Sequence, residues 1–82
     1  MTECLVYVID RDDEKERLAF MLLDDGTYRF LLEYQEPAPE NGYCWASNDY
    51  PGRYSSLEDA ENIATGAVPW FRGRPAWAPT QP

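Results

Sequence analysis

The stretch Arg17-Leu18-Ala19-Phe20-Met21-Leu22-Leu23-Asp24-Asp25-Gly26-Thr27-Tyr28-Arg29-Phe30-Leu31-Leu32-Glu33-Tyr34-Gln35 decides how this chain folds, because two apolar runs of strand length flank an Asp-Gly pair. Asp-Gly favours the positive φ that a two-residue hairpin needs at both central positions, so Asp25-Gly26 joins a strand over 17–23 to one over 27–35. Such a loop pairs Asp24 with Thr27. That register puts Arg17, Ala19, Met21 and Leu23 on one face with Tyr28, Phe30, Leu32 and Tyr34, and Leu18, Phe20, Leu22 and Leu31 on the other beside Arg29 and Glu33. A slip of one residue exchanges the faces. Both faces are substantially apolar, whereas a sheet with one wet side alternates, so the second face needs a cover. The cover is either the C-terminal tail or another molecule.

Working outward, the β-branched run Cys4 to Ile9 reads as a central strand over about 3–9, and the charged run Asp10 to Glu16 as a solvated connection. The prolines of Glu36 to Gly42 mark a loop before a short strand over 43–47. Ser55 and Glu58 resemble a capping box, and Leu57, Ala60, Ile63, Ala64 and Ala67 recur at helical spacing, predicting a helix over about 56–66 closed by Gly66 and Pro69. From Val68 to Pro82, Pro and Gly preclude regular structure. Trp70, Phe71 and Trp77 make this tail too apolar for a flexible linker, so it is expected to wrap back over Phe20, Leu22 and Leu31. The fold class is α+β: a three- to four-stranded antiparallel sheet, one C-terminal helix on the Tyr28 and Phe30 face, and an irregular Pro/Trp-rich tail, all in a single domain over 1–82.

The chain of 82 residues carries net charge −8, and all fifteen carboxylates lie between Glu3 and Glu61, while Arg72 and Arg74 are the only charged residues beyond. This balance opposes direct binding of nucleic acid or anionic lipid, which need Lys and Arg to replace condensed counterions, and a charged partner is therefore a basic protein surface. Aromatics at 15% are too many for a disordered acidic tail, so the chain folds. Cys4 and Cys44 form no CxxC and sit in strand-like runs, which reads as two buried reduced thiols and a cytoplasmic home. No signal segment or membrane-length apolar run is written.

Catalytic and metal chemistry find little support. With no His and one Lys in a charged turn, a hydroxyl or thiol nucleophile lacks its base, and Asp12 with Asp13 and Asp24 with Asp25 fall in turns and not in a concave site. Asp10, Asp12 and Glu14 alternate as at the start of an EF-hand, but Lys15 stands where Gly is required and Met21 where the last ligand belongs. No catalytic residue, cofactor or metal is therefore expected, and the chain reads as a non-enzyme.

Two surface signals remain. Glu3, Asp10, Asp12, Asp13, Glu14, Glu16, Asp24, Asp25, Glu58, Asp59 and Glu61 could imitate phosphates if they share a side, and Asp12, Asp13, Glu14, Glu16, Asp24 and Asp25 are the expected acidic contacts with a partner. The segment 42–56 mixes Tyr, Trp, Ser, Asn and Gly as binding loops do, which makes Tyr43, Trp45, Tyr50, Arg53 and Tyr54 the expected aromatic and Arg anchors. Their alternative role is packing, with Tyr43 and Trp45 toward the core and Tyr54 under the helix.

A short acidic chain with a small antiparallel sheet, one helix and no catalytic constellation resembles the anti-CRISPR proteins and related phage-encoded inhibitors. The resemblance is one of size, charge and architecture, with no shared motif and no residue to transfer. It implies a stoichiometric inhibitor, a nucleic-acid mimic that occupies a basic, nucleic-acid-binding surface of a host complex as a monomer or homodimer, in the host cytoplasm if phage-encoded. A second expectation is a self-associating structural or adaptor domain that buries the Phe20, Leu22 and Leu31 face against its own copy.

Overall fold

The computed structural model describes residues 3–39 and 42–78. It contains β1 (Glu3–Asp10), β2 (Glu16–Leu23), β3 (Tyr28–Ala38), β4 (Gly42–Asp49) and α1 (Leu57–Ala67). The strands form one antiparallel sheet in the order β1-β2-β3-β4, and with the single helix the architecture is α+β. The expected loop over Glu36–Gly42 and tail over 68–82 are described except at 40–41 and 79–82, which lie outside the described residues.

The register differs from the expected one by a single residue. Leu22 pairs with Tyr28, Phe20 with Phe30 and Leu18 with Leu32. Leu23 N–H donates to Thr27 O and Gly26 N–H to Leu23 O, so the loop is the three residues Asp24, Asp25 and Gly26, with Gly26 left-handed at φ 85. A three-residue loop built on a turn plus one left-handed Gly uses Asp-Gly as readily as a two-residue loop does. The consequence is an exchange of faces. Leu18, Phe20 and Leu22 join Tyr28, Phe30 and Leu32 on one side, and Arg17, Ala19 and Met21 join Arg29, Leu31 and Glu33 on the other.

The core lies on the first side. Tyr7, Leu18, Phe20, Tyr28 and Phe30 from the sheet meet Leu57, Ala60 and Ala64 from α1 and Val68 and Phe71 from the tail. Phe20 is its centre, with ring centroids 4.9 Å from Tyr7, 5.9 Å from Phe30 and 5.5 Å from Phe71. Ala60 and Ala64, both fully buried, let the helix backbone approach the aromatic layer closely. Ile63, expected on this face, is 50% exposed, because Leu57, Ala60, Glu61, Ala64 and Val68 define the inward stripe and Ile63 lies roughly 120° round from it. The N-cap is Ser56, one residue beyond the expected Ser55, and its hydroxyl accepts from Asp59 N–H.

The tail does return to the sheet, but to the side that the helix already occupies. Phe71 is buried against Phe20, and Trp77 stands edge-on to Tyr7 at 6.0 Å. Phe20 is covered as expected, whereas Leu31 is on the opposite side. Two further expectations change. β1 is an edge strand and not a central one; a bulge between Leu5 and Tyr7 turns these two residues, which a regular strand would place on one face, to opposite sides, so its apolar run serves both faces without a second neighbour. β3 continues through Pro37 to Ala38, because Gln35 makes the last bond toward β2, to Lys15 O, and the N–H missing at Pro37 falls on the side with no strand left to receive it.

Candidate docking face

Among the described residues nothing covers the side of the sheet away from the core. Leu5 and Val8 of β1, Ala19 and Met21 of β2, and Leu31 of β3 floor a shallow hollow of about 450 Å³ whose remaining walls are Arg17 and Glu33. Ala19 is buried between its larger neighbours, while Leu5 is 57% exposed at the margin. Across the hollow from Leu5, Arg17 Nε donates to Glu33 Oε1 at 2.8 Å and its guanidinium lies 4.1 Å from the centroid of the Trp45 ring. An arginine held between a carboxylate and an indole keeps a flat orientation, so this polar strip is stiff.

Acidic turns bracket the face at both ends of the strands. At one end, the turn 11–15 carries Asp12, Asp13 and Glu14 between β1 and β2. Arg11 clamps Asp13 at 2.7 Å, and with Lys15 N–H it holds the Asp13 carboxyl down at about 2. Arg11 also pairs with Glu16 at 2.9 Å, whose other oxygen accepts from the Trp70 indole, so Glu16 ties the turn to the tail and is not a free contact. At the other end, Asp24 and Asp25 form the β2–β3 hairpin tip. The hydroxyl and N–H of Thr27, with Arg53 behind them, lower the Asp25 carboxyl below its ordinary value. The six expected acids therefore fall into two groups at opposite ends of the sheet and do not form one patch.

The expected aromatic anchors also divide. Tyr43 and Trp45 occupy the open side of β4 and are 73% and 41% exposed. Tyr50 and Tyr54 stack on Phe30 with centroids at 5.0 and 6.0 Å, on the core side. Arg53 is paired with Asp25 at 2.9 Å. Packing and exposure are thus distributed the opposite way to the packing alternative for Tyr43 and Trp45. Cys4 and Cys44 are both exposed, contrary to the expectation of buried thiols, because each lies on an edge strand beyond the reach of the helix.

Glu61, counted among the surface acids from sequence, is buried. Both its oxygens accept from Arg74 Nε or Nη2 at 2.7–3.0 Å, and Oε2 also accepts from the Tyr7 hydroxyl. Burial and the neighbouring carboxylate push the Tyr7 hydroxyl well above its ordinary value and keep it protonated. The carboxylate holds sheet, helix and tail together. Among the described residues no group of three His, Cys, Asp or Glu is placed to hold a metal ion, and no helix is long and apolar enough to cross a membrane.

The residues that sequence reasoning missed are Leu5, Val8 and Met21, which it assigned to packing, whereas Leu31 was already placed on the face that needs a cover. Their signal was the second Asp of Asp24-Asp25-Gly26, which permits the three-residue loop and turns Met21 and Leu31 to the same open side. Comparison with protein-family models, with curated proteins and with solved structures finds no match.

Proposed function

We propose that this chain is a non-enzymatic binding protein that seats the open face of its sheet on a basic protein surface with an apolar centre. One observation carries the reading: an apolar floor of Leu5, Val8, Met21 and Leu31 is left uncovered between two acidic turns. Burying that floor supplies the apolar part of the affinity, while the acids at the rim steer a cationic partner and reject nucleic acid. A basic surface of this kind commonly serves to hold nucleic acid, and occupying it would make the chain an inhibitor, as the resemblance to the anti-CRISPR class implies. A face-to-face dimer is the second reading, favoured by the same apolar floor but opposed by the acids that stacking would bring together.

The test is affinity capture from host lysate with three forms of the chain. The double variant Leu5→Ser with Met21→Ser should reduce recovery of the bound protein roughly tenfold. Reversal of Asp12, Asp13 and Glu14 to Lys should slow association and weaken its salt dependence, and Ile63→Ser, on the outer side of α1, should change nothing. Capture that is indifferent to the Leu5 and Met21 changes, tight attachment to bare polynucleotide, or turnover of a substrate would overturn the proposal.

A further inference from the structure

Among the described residues no strand pairs with the outer edges of β1 and β4, and the two edges are built differently. Gln35 of β3 donates to Lys15 O on the β2 side, so odd-numbered residues of β3 bond toward β2 and even-numbered ones toward β4. Tyr28, whose N–H donates to Tyr54 O and whose O accepts from Tyr54 N–H on that side, obeys the same alternation. Cys44, Ala46 and Asn48 align with Glu36, Tyr34 and Leu32 and bond inward. Tyr43, Trp45 and Ser47 therefore turn their N–H and C=O groups to the open edge. β1 guards its edge with a bulge and with Glu3 and Asp10 at its ends, whereas β4 has no bulge or proline and a single charged residue, Asp49, at its end. An unguarded edge of this length is a template for another strand.

We infer that the occupant is a second copy of this chain, paired β4 to β4 antiparallel about a two-fold axis at Ala46. Charge and shape both favour a copy. In a protein of net charge −8, copies approach most readily where charge is sparse: the acidic turn 11–15 is about 10–15 Å across the sheet from this edge, beyond the Debye length at physiological salt, and the one acid of β4, Asp49, falls opposite Tyr43 of the copy and not opposite another acid. The sequence Tyr43-Cys44-Trp45-Ala46-Ser47 is complementary to itself in this register. Ala46 meets Ala46, and each Trp45 meets Ser47 of the copy, large against small. The outward peptide groups of Trp45 and Ser47 then satisfy one another. The product is a continuous eight-stranded sheet with two docking faces side by side.

The experiment is sedimentation equilibrium over a concentration series, with two variants. Ser47→Pro removes an outward N–H and leaves the bonds to β3 in place, so it should keep the circular dichroism spectrum and weaken the dimer at least roughly tenfold. In a chain with Cys4→Ser and Cys44→Ser, Ala46→Cys should cross-link to a disulfide dimer under mild oxidation, because opposed residues in a non-hydrogen-bonded pair lie about 4.5 Å apart, within disulfide reach. Asn48→Cys in the same background should not. A monomer at every concentration, or a dimer that survives Ser47→Pro without loss of affinity, would overturn the inference. This result is independent of the docking-face proposal, whose variants lie on β1 and β2.

Discussion

Glu61 is 5% exposed, and three distant parts of the chain converge on it: Tyr7 from β1, the carboxylate itself from α1, and Arg74 from the tail. Removing one member leaves the others buried without compensation. Arg74→Ala strands a buried carboxylate and should cost about 2–3 kcal/mol, at the low end for buried pairs because the Arg74 side chain is 29% exposed. Urea unfolding measures this, and a cost below about 0.5 kcal/mol would show that the clamp is only a surface pair. The Tyr7 hydroxyl adds a signature in alkali. Its folded value is raised, so its stabilisation is complete below the ordinary tyrosine value of about 10 and declines as pH rises above it. Tyr7→Phe should flatten that alkaline decline. None of this was legible in the sequence, where Glu61 is one acid among several on a helix and nothing ties it to residues 54 positions before and 13 after.

At the scale of elements, the β2–β3 hairpin decides which residues are core and which are surface. Gly26, at φ 85 with open space where a Cβ would stand, holds the left-handed position that closes the three-residue loop. Gly26→Ala should therefore cost about 1 kcal/mol through backbone strain alone, and Gly26→Asn less, since Asn tolerates this conformation. Equal melting temperatures for wild type and Gly26→Ala would refute the assignment. The hairpin, the four strands and α1 were legible, because apolar runs, Asp-Gly and a Ser cap are local signals. The register was not. Two- and three-residue loops share Asp-Gly, and both faces of β2 and β3 are apolar, so hydrophobic pattern could not choose between them; packing of Phe20 between Tyr7, Phe30 and Phe71 does. The docking face was obscured for the same reason, and its acids and Leu31 were recognised while Leu5 and Met21 were assigned to packing.

For the whole molecule, charge acts on the fold and on the proposed complex with opposite sign. Arg11, Arg17, Arg29, Arg53 and Arg74 are engaged in ion pairs of 2.7–3.1 Å, which leaves Asp12, Glu14, Asp24 and Glu58 among the acids that give the net −8. The close pairs are short-ranged and resist screening, whereas repulsion among the excess acids at the two ends of the sheet is spread over many ångströms and is screened readily. Raising sodium chloride from about 10 mM to about 300 mM at pH 7 should therefore raise the melting temperature by a few degrees. Chloride is the appropriate salt, since sulfate would also strengthen apolar burial. The same change should weaken association with a basic partner, through a slower on-rate, because that attraction runs between separated charges. A melting temperature that falls with salt would mean that the ion pairs, and not the excess acids, dominate the electrostatics of the fold, and the acidic ends would then be spent on stability instead of on a partner.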